Sequence, residues 1–178
     1  MPEITTARLR LRAFTLDDVP AYHAAVFSDP DVMRYLPGGE PRPLEAAEKA
    51  VQHFTASWQQ HDLGLWAVIQ RADDTLIGHC GLQYIPDTPY IEVGYVLAKP
   101  YWGQGLATEA ARAALRFGFE QRGLDRIVAV FVPENTGSER VMIKLGMKNQ
   151  GLLQAYGTDL PCYTITREAF LNNQQRGG

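Results

Sequence analysis

The chain has 178 residues, of which 46% are hydrophobic and 21% charged, a composition that suits a globular domain with a substantial core. Its net charge of −3 and pI near 5.8 provide no general attraction to nucleic acid or to an anionic membrane. The sequence shows no signal-peptide pattern and no apolar run of membrane-spanning length, and Cys80 and Cys162 lack the spacing of a metal site, so we expect a cytoplasmic protein without nucleic-acid or membrane partners.

The first half of the chain predicts strands interleaved with helices. Residues 8–14 alternate apolar and basic side chains, which is typical of a strand, and Thr15 or Asp17 can cap a helix that carries Val26 and Phe27. Residues 35–43 are too rich in proline and glycine for regular structure, and residues 44–60 predict a second helix. Residues 64–70 and 75–85 predict a hairpin, so the sheet should begin antiparallel.

Residues 91–111 combine a strand pattern, a glycine-bearing loop and an alanine-rich helix. Apolar side chains from Ile91 to Leu97 alternate with a second set that includes Glu92, so the strand should be covered on at least one face. Gly103 and Gly105 then free the backbone to present amide groups. Because a helix N-terminus carries partial positive charge and unpaired N–H groups, this stretch predicts a cradle for a pyrophosphate.

The second half predicts a buried strand, a capped helix and a closing hairpin. Residues 127–132 are an unbroken apolar run, as expected for a strand buried on both faces. Asn135 can cap the next helix, and Gly146 can end it. Residues 150–156 and 160–167 predict a hairpin whose turn lies at residues 157–159, and we expect residues 172–178 to be frayed.

Two motifs in this order resemble the GNAT superfamily of N-acetyltransferases. WGQGLA at residues 102–107 resembles the Q/R-x-x-G-x-G/A loop that holds the pyrophosphate of acetyl-CoA, with Trp102 where glutamine or arginine is usual. Asn135, Ser138, Met142 and the LGM of residues 145–147 resemble the second half of the signature. The TARLRLR of residues 6–12, taken with the loop, resembles the RimJ/RimL-like branch, which acetylates ribosomal-protein N-termini and, in related members, small amines.

The resemblance implies one N-acetyltransferase domain over residues 1–178, with a core over about residues 5–170. Its fold should be mixed α/β, with a central, mostly antiparallel, splayed sheet flanked by helices. It should use acetyl-CoA as the acetyl donor, need no metal, and work as a monomer or homodimer. The expected acceptor is a primary amine, first a peptide or ribosomal-protein N-terminal α-amine. A small-molecule amine or amino acid is the alternative, as is a non-catalytic acyl-CoA-binding sensor.

The resemblance also assigns cofactor contacts. The pyrophosphate loop should comprise Trp102, Gly103, Gln104, Gly105, Leu106, Ala107 and Thr108. Backbone N–H groups near Val96, Leu97 and Ala98 should polarise the acetyl carbonyl, with Gly94 either marking the bulge that splays the strand or serving as an ordinary strand glycine. Asn135 should contact the pantetheine arm, cap its helix, or do both.

Acetyl transfer to an amine also needs a base and a proton donor for the leaving thiolate. The resemblance points to Glu92 as the base; otherwise it is a solvated strand residue or the partner of an arginine. Many family members place a tyrosine donor seven residues after the asparagine, where this chain has Met142. Ser138 is therefore the expected donor. The alternatives are that Ser138 only assists the helix start, and that water or Tyr163 supplies the proton.

Other site classes fit the sequence less well. A dinucleotide-binding fold would need a third glycine where Thr108 stands, and Asp125 precedes the next strand instead of ending it. The four histidines lack partners at metal or triad spacing, which predicts structural or surface roles. The candidates to line an acceptor pocket are aromatic, with burial in the core as the alternative for most of them: Tyr35, Trp66, Tyr84, Tyr90 and Tyr156.

Overall fold

The computed structural model describes residues 1–175, and over that range eight strands form one sheet. In chain order they are β1 (Ile4–Thr5), β2 (Leu9–Arg12), β3 (Leu65–Gln70), β4 (Thr75–Tyr84), β5 (Ile91–Leu97), β6 (Arg126–Val130), β7 (Lys148–Ala155) and β8 (Thr158–Thr166). Their spatial order is β1-β2-β3-β4-β5-β6-β8-β7, and only β5 and β6 pair in parallel. The predicted mixed α/β fold with a mostly antiparallel sheet is confirmed.

Helices cover both faces of this sheet. They are α1 (Val19–Tyr22), which continues into a π-helical turn (His23–Phe27), α2 (Pro30–Met33), α3 (Leu44–His61), α4 (Leu106–Arg116), α5 (Thr136–Lys144) and α6 (Arg167–Gln175). Tyr22 and Phe54 pack with Ala67 in one buried cluster, whereas Leu115 packs with Ile127 in another. No helix in the described part of the chain is long and apolar enough to span a bilayer.

The strand register places the candidate site on known faces of the sheet. Gln83 pairs with Glu92, and Glu92 pairs in turn with Val128, so these three side chains share one face. The same face continues along β4 and β5 through His79 and Val96. Tyr95 therefore points to the opposite face, where α4 and α5 pack. The predicted alternation of this strand is confirmed.

The sheet splays between β5 and β6. Glu92 and Val128 form the only register pair between these strands within the described residues, and no pairing continues toward Leu97. Gly94 does not mark a bulge, because the ladder between β4 and β5 is regular from Gly78–Leu97 to Tyr84–Ile91. Of the two alternatives for Gly94, the bulge is wrong and the ordinary strand glycine is confirmed. Because β5 and β6 share a single register pair in the described part of the chain, the backbone groups beyond that pair are open to a ligand.

Several element boundaries differ from the prediction. β6 ends at Val130, so Phe131 and Val132 leave the sheet although their apolar character continues the strand pattern. The closing hairpin turns at residues 156–157, where φ is positive at both Tyr156 (53°) and Gly157 (80°), which matches the geometry of a two-residue hairpin turn. The sequence predicts that residues 172–178 are frayed, but α6 extends to Gln175. Residues 176–178 lie outside the described part of the chain, so the prediction is not tested there.

Candidate functional site

One cavity of about 650 Å³ extends across the gap between β5 and β6. Glu92, Gln83 and Tyr156 line it on one face of the sheet, while Ser138 and Met142 of α5 line it on the other. The cavity therefore connects the two faces through the splay. Two reactants that enter from opposite faces can meet there.

Glu92 is the buried carboxylate of this cavity, with 5% of its surface exposed. Gln83 Nε2 donates to its Oε1 at 2.8 Å, and the Tyr156 hydroxyl donates to the same oxygen. Oε2 accepts no hydrogen bond from any residue in the range 1–175, yet it is not sealed in the interior. The alternatives of a solvated side chain or an arginine partner are wrong, because the carboxylate is buried and its partners are an amide and a phenol.

The surroundings of Glu92 make it a stronger base than an exposed carboxylate. Burial raises the pKa of Glu92, and the hydrogen bonds from Gln83 and Tyr156 offset part of that rise. A carboxylate with a raised pKa takes a proton from an ammonium group more readily. The arrangement, with one oxygen held and one open, suits Glu92 to accept a proton from an incoming amine.

Tyr156 reaches Glu92 because of the turn that carries it. The side chain lies next to Gly157 at the β7–β8 turn, and its hydroxyl also accepts from Gln83 Nε2 at 3.1 Å. The sequence pattern predicts Tyr156 as the end of a strand and as a candidate pocket residue, without a contact to Glu92. The sequence signal was the Tyr-Gly pair between two alternating runs, since glycine favours the positive φ of such a turn.

Ser138 lies on the opposite face with a tyrosine as its partner. The Tyr95 hydroxyl lies 2.9 Å from Ser138 Oγ and 3.1 Å from Ser138 O. Burial raises the pKa of Tyr95 above its usual value, so the phenol keeps its proton at neutral pH. Tyr163, the alternative donor, is not part of the cavity lining and instead donates to Glu139 Oε1 at 2.8 Å. The structure therefore brings Ser138, and not Tyr163, to the cavity.

Asn135 both caps α5 and lines the cavity. Its Oδ1 accepts from Ser138 N at 3.0 Å, which satisfies one of the unpaired donors at the helix start. Its side-chain NH₂ group donates to no residue in the range 1–175. The amide can therefore cap the helix with its oxygen and bind a ligand with its nitrogen.

The predicted pyrophosphate loop borders the cavity with only some of its residues. Trp102, Gly103 and Ala107 line it, while Leu106 is buried in the core and Gly105 and Thr108 border a separate groove on the other side of α4. Gly103 has φ of +75°, and a Cβ built there would meet no atom within 4 Å. Gln104 turns its side chain back to Pro100 O at 2.8 Å. The open space at Gly103 is where the loop can admit a phosphate group.

A charged network fixes this loop against the N-terminal strands. Arg8 Nη1 donates to Gln104 O at 2.9 Å, and Arg8 Nε donates to Glu109 Oε2 at 2.7 Å. Thr6 Oγ1 donates to Glu109 Oε1 at 2.6 Å. Trp102 Nε1 donates to Leu97 O at 2.7 Å. The loop is thus held by side chains from the connection between β1 and β2, from α4 and from the loop itself.

The expected backbone donors of β5 need a correction. Ala98 N donates to Ile77 O at 2.8 Å, so it is not available to a ligand. Because the amides of a strand alternate in direction, Val96 N–H also points toward β4, whereas those of Tyr95 and Leu97 point into the splay. The expectation is wrong for Val96 and Ala98. Sequence periodicity locates the faces of a strand but not the side to which each amide points.

The remaining aromatic and histidine candidates divide between core and cavity. Tyr35 and Tyr156 line the cavity, whereas Trp66 is buried in the core and Tyr84 and Tyr90 lie outside the lining. His79 also lines the cavity, and its Nδ1 lies 2.8 Å from the Tyr22 hydroxyl. Burial lowers the pKa of His79 to about 4, so the ring is neutral at neutral pH. Within residues 1–175 no cluster of potential ligands could hold a metal ion.

Comparisons with known proteins show which sequences and folds this chain resembles. A family profile described as an acetyltransferase (GNAT) domain matches residues 8–148. The chain is 37% identical over 152 residues to the uncharacterized N-acetyltransferase YnaD of Bacillus subtilis, which covers 85% of each protein. The crystal structure of a GNAT-family acetyltransferase from Bacillus anthracis matches with a TM-score of 0.80 at 32% identity, over 94% of this chain and 99% of that one. The ribosomal L7/L12 α-N-protein acetyltransferase RimL, solved with coenzyme A, matches with a TM-score of 0.80 at 20% identity, over 94% and 99% of the two chains.

Proposed function

The chain belongs to the GNAT family of acetyltransferases, and from this premise we propose that its cavity transfers an acetyl group from acetyl-CoA to a primary amine, with Glu92 as the base. The observation that carries the proposal is the open Oε2 of Glu92 in the same cavity as Gly103 and Asn135. The cavity joins a cradle for phosphate groups to a carboxylate that can take a proton. We also infer that residues 1–178 form one N-acetyltransferase domain.

The residues on the α4 and α5 face would bind the acetyl donor. Acetyl-CoA, when bound, supplies an acetyl group activated as a thioester. Gly103 and Ala107 at the start of α4, together with Trp102, would face its pyrophosphate, and the Asn135 amide would face its pantetheine arm. Leu97 N–H, which points into the splay, could donate to the acetyl carbonyl.

The proton path uses two further groups. Glu92 Oε2 would accept a proton from the ammonium form of the acceptor, since the open oxygen needs no partner to be displaced first. Ser138 Oγ would donate a hydrogen bond where negative charge develops on the leaving sulfur. Tyr95 would hold that hydroxyl in place at 2.9 Å. Preorganised donors of this kind lower the activation free energy by roughly 3 to 4 kcal/mol in other enzymes.

The first candidate acceptor is a peptide or ribosomal-protein N-terminal α-amine, as the RimJ/RimL-like motifs imply. An α-amine is about 10% neutral at pH 7, whereas a lysine amine is below about 0.1%, so the α-amine requires less help from the base. The likeness to RimL, at 20% identity, is one of fold and does not extend to its substrate. A small-molecule amine is the second candidate.

Release of free CoA in the presence of amines tests this proposal. We expect turnover with N-terminal peptides or small primary amines, and Glu92→Gln should lower turnover roughly a hundredfold to ten-thousandfold while acetyl-CoA affinity changes little. The loss should shrink as the pH rises, because the amine then deprotonates unaided. Binding of acetyl-CoA without turnover on any amine would instead support an acyl-CoA-binding sensor, and an unaffected Glu92→Gln variant would leave Glu92 with a structural role only.

A further inference from the structure

The acceptor side of the cavity holds a single charged group. Among the lining residues in the described part of the chain, only Glu92 and Arg140 can carry a charge at neutral pH, since His79 is neutral there. Arg140 is exposed on α5, which packs on the opposite face of the sheet from Glu92. An acceptor that approaches Glu92 therefore meets one carboxylate oxygen and no second ionic partner.

Apart from Glu92, Gln83, His79 and Thr158, the side chains on the acceptor side are apolar or aromatic. Val32, Tyr35 and Leu36 line it from the segment that follows α1, and Val130, Val132 and Leu160 line it from the end of β6, the residues after it, and β8. Val130 pairs with Cys162, and Leu160 lies two residues before Cys162 on the same face of β8. Val132, beyond the end of β6, packs against the buried cluster that contains Leu160. These two apolar surfaces would enclose the body of an acceptor whose nitrogen lies at Glu92.

Several charged residues beside the cavity lining already have partners. Lys99 Nζ forms a salt bridge with Asp31, and Asp31 also pairs with Arg34 at 3.7 Å. Arg126 lies over the Tyr90 ring at 5.3 Å, outside the lining. These groups are not placed to receive a second charge on a bound acceptor.

We propose that the acceptor is a primary monoamine whose remaining body is uncharged, so that diamines, polyamines and amines with acidic substituents are poor substrates. This inference rests on the proposed function, because it concerns the amine that Glu92 deprotonates. A second ammonium or a carboxylate inside the cavity would lose its hydration without gaining a partner, which disfavours binding. For a peptide acceptor, the same rule requires an uncharged first side chain.

Three amines with five carbon atoms each test the proposed preference for an uncharged body: pentylamine, 1,5-diaminopentane and 5-aminopentanoate. We expect kcat/KM for pentylamine to exceed that of either charged amine at least tenfold, measured as CoA release at one pH and one ionic strength. A second arm compares tetrapeptides that begin with alanine, lysine or aspartate and are otherwise identical. Turnover of 1,5-diaminopentane or the lysine peptide equal to that of its uncharged counterpart would overturn the inference and leave the proposed function intact. No turnover with any amine or peptide would overturn both.

A designed change of specificity provides a positive test. Thr158 lines the cavity, is exposed, and lies on the same face of β8 as Leu160, so a carboxylate there costs little folding stability. Thr158→Glu should raise kcat/KM for 1,5-diaminopentane relative to pentylamine at least fivefold, and Thr158→Gln should leave that ratio unchanged. Leu160→Glu, checked for folding by thermal unfolding, should act in the same direction. Equal ratios in the folded Glu and Gln variants would show that the absence of a second charge does not set specificity.

Discussion

Glu92 is held through Oε1 alone, and its two donors set both its position and its acidity. The hydrogen bonds from Gln83 and Tyr156 stabilise the charged carboxylate, against a burial that raises its pKa. Each donor that is removed should therefore raise the pKa of Glu92 further. Because the base must be ionised to act, its pKa defines the acidic limb of the pH–rate profile.

We expect Tyr156→Phe to move the acidic limb of kcat/KM to higher pH. Activity should fall most at the low-pH end and recover as the pH rises above the new pKa of Glu92, because the deprotonated carboxylate is then restored. The measurement is kcat/KM as a function of pH for wild type and variant. Tyr84→Phe is the control, since that phenol lies outside the cavity lining. An unshifted limb in Tyr156→Phe would show that the hydrogen bond does not tune the base.

Ser138 and Tyr95 form a hydrogen-bonded pair on the other face of the sheet. Ser138→Ala should lower turnover at least tenfold while acetyl-CoA still binds, since it removes the hydroxyl that we propose as donor to the leaving sulfur. Tyr95→Phe should cause a smaller loss, because it removes only the partner that orients that hydroxyl. In the double variant the Tyr95 change should add almost nothing, as expected for groups that work through each other. Fully additive effects would separate the two roles.

At the scale of elements, the loop between β5 and α4 joins the strand that carries Glu92 to the helix whose N-terminus we propose as the site of the phosphate groups. Its geometry depends on the positive φ of Gly103, which asparagine and aspartate tolerate better than other side chains. These two residues therefore impose the same backbone cost, and they differ in charge alone. Comparing the asparagine and aspartate variants of Gly103 therefore separates the effect of backbone strain from the effect of charge on acetyl-CoA binding.

Gly103→Asp should weaken acetyl-CoA binding at least tenfold relative to Gly103→Asn. The open space at this position faces the cavity, so a carboxylate there would lie near the pyrophosphate and repel it. Calorimetric titration of acetyl-CoA into both variants measures the difference. A comparable loss in both variants would mean that backbone strain or bulk, and not charge, governs the cradle.

At the scale of the whole molecule, the buried pair of His79 and Tyr22 connects the sheet to α1. The folded protein keeps His79 neutral, with its pKa lowered by burial from 6.5 to about 4. Above pH 6.5 the ring is neutral in both states and has no effect on the pH dependence. As the pH falls from 6.5 to about 4, the unfolded chain binds a proton that the folded protein does not, so stability is lost.

We expect His79 to cause a decrease of about 3 kcal/mol in the free energy of unfolding between pH 6.5 and pH 4. His79→Asn retains a side-chain group that can bond to Tyr22 but cannot titrate in this range. Urea unfolding of both proteins across this range isolates the contribution as the difference between their slopes. Parallel slopes would show that the ring protonates in the folded state as readily as in the unfolded chain.

The sequence by itself determined most of the elements and provided the candidates for the reactive groups. The alternation of residues 91–97 set Glu92 and Tyr95 on opposite faces, the glycines after it indicated a cradle, and Asn135 predicted a helix cap, because these features depend on local periodicity and local backbone preference. The family motifs added the acetyl donor. Helix α3 was predicted to within one residue of its end for the same reason.

Only the tertiary structure decided how these groups meet. Gln83 and Tyr156 converge on one oxygen of Glu92 from other strands, and Tyr95 reaches Ser138 across 43 residues of sequence. Contacts of this kind depend on strand order, register and turn geometry, and local periodicity carries no information about these. The direction of the Val96 and Ala98 amides was mistaken for the same reason, since it depends on which neighbour each edge of β5 pairs with. The single charge of the acceptor side likewise emerges only when β6, β8 and the segment after α1 are brought around Glu92.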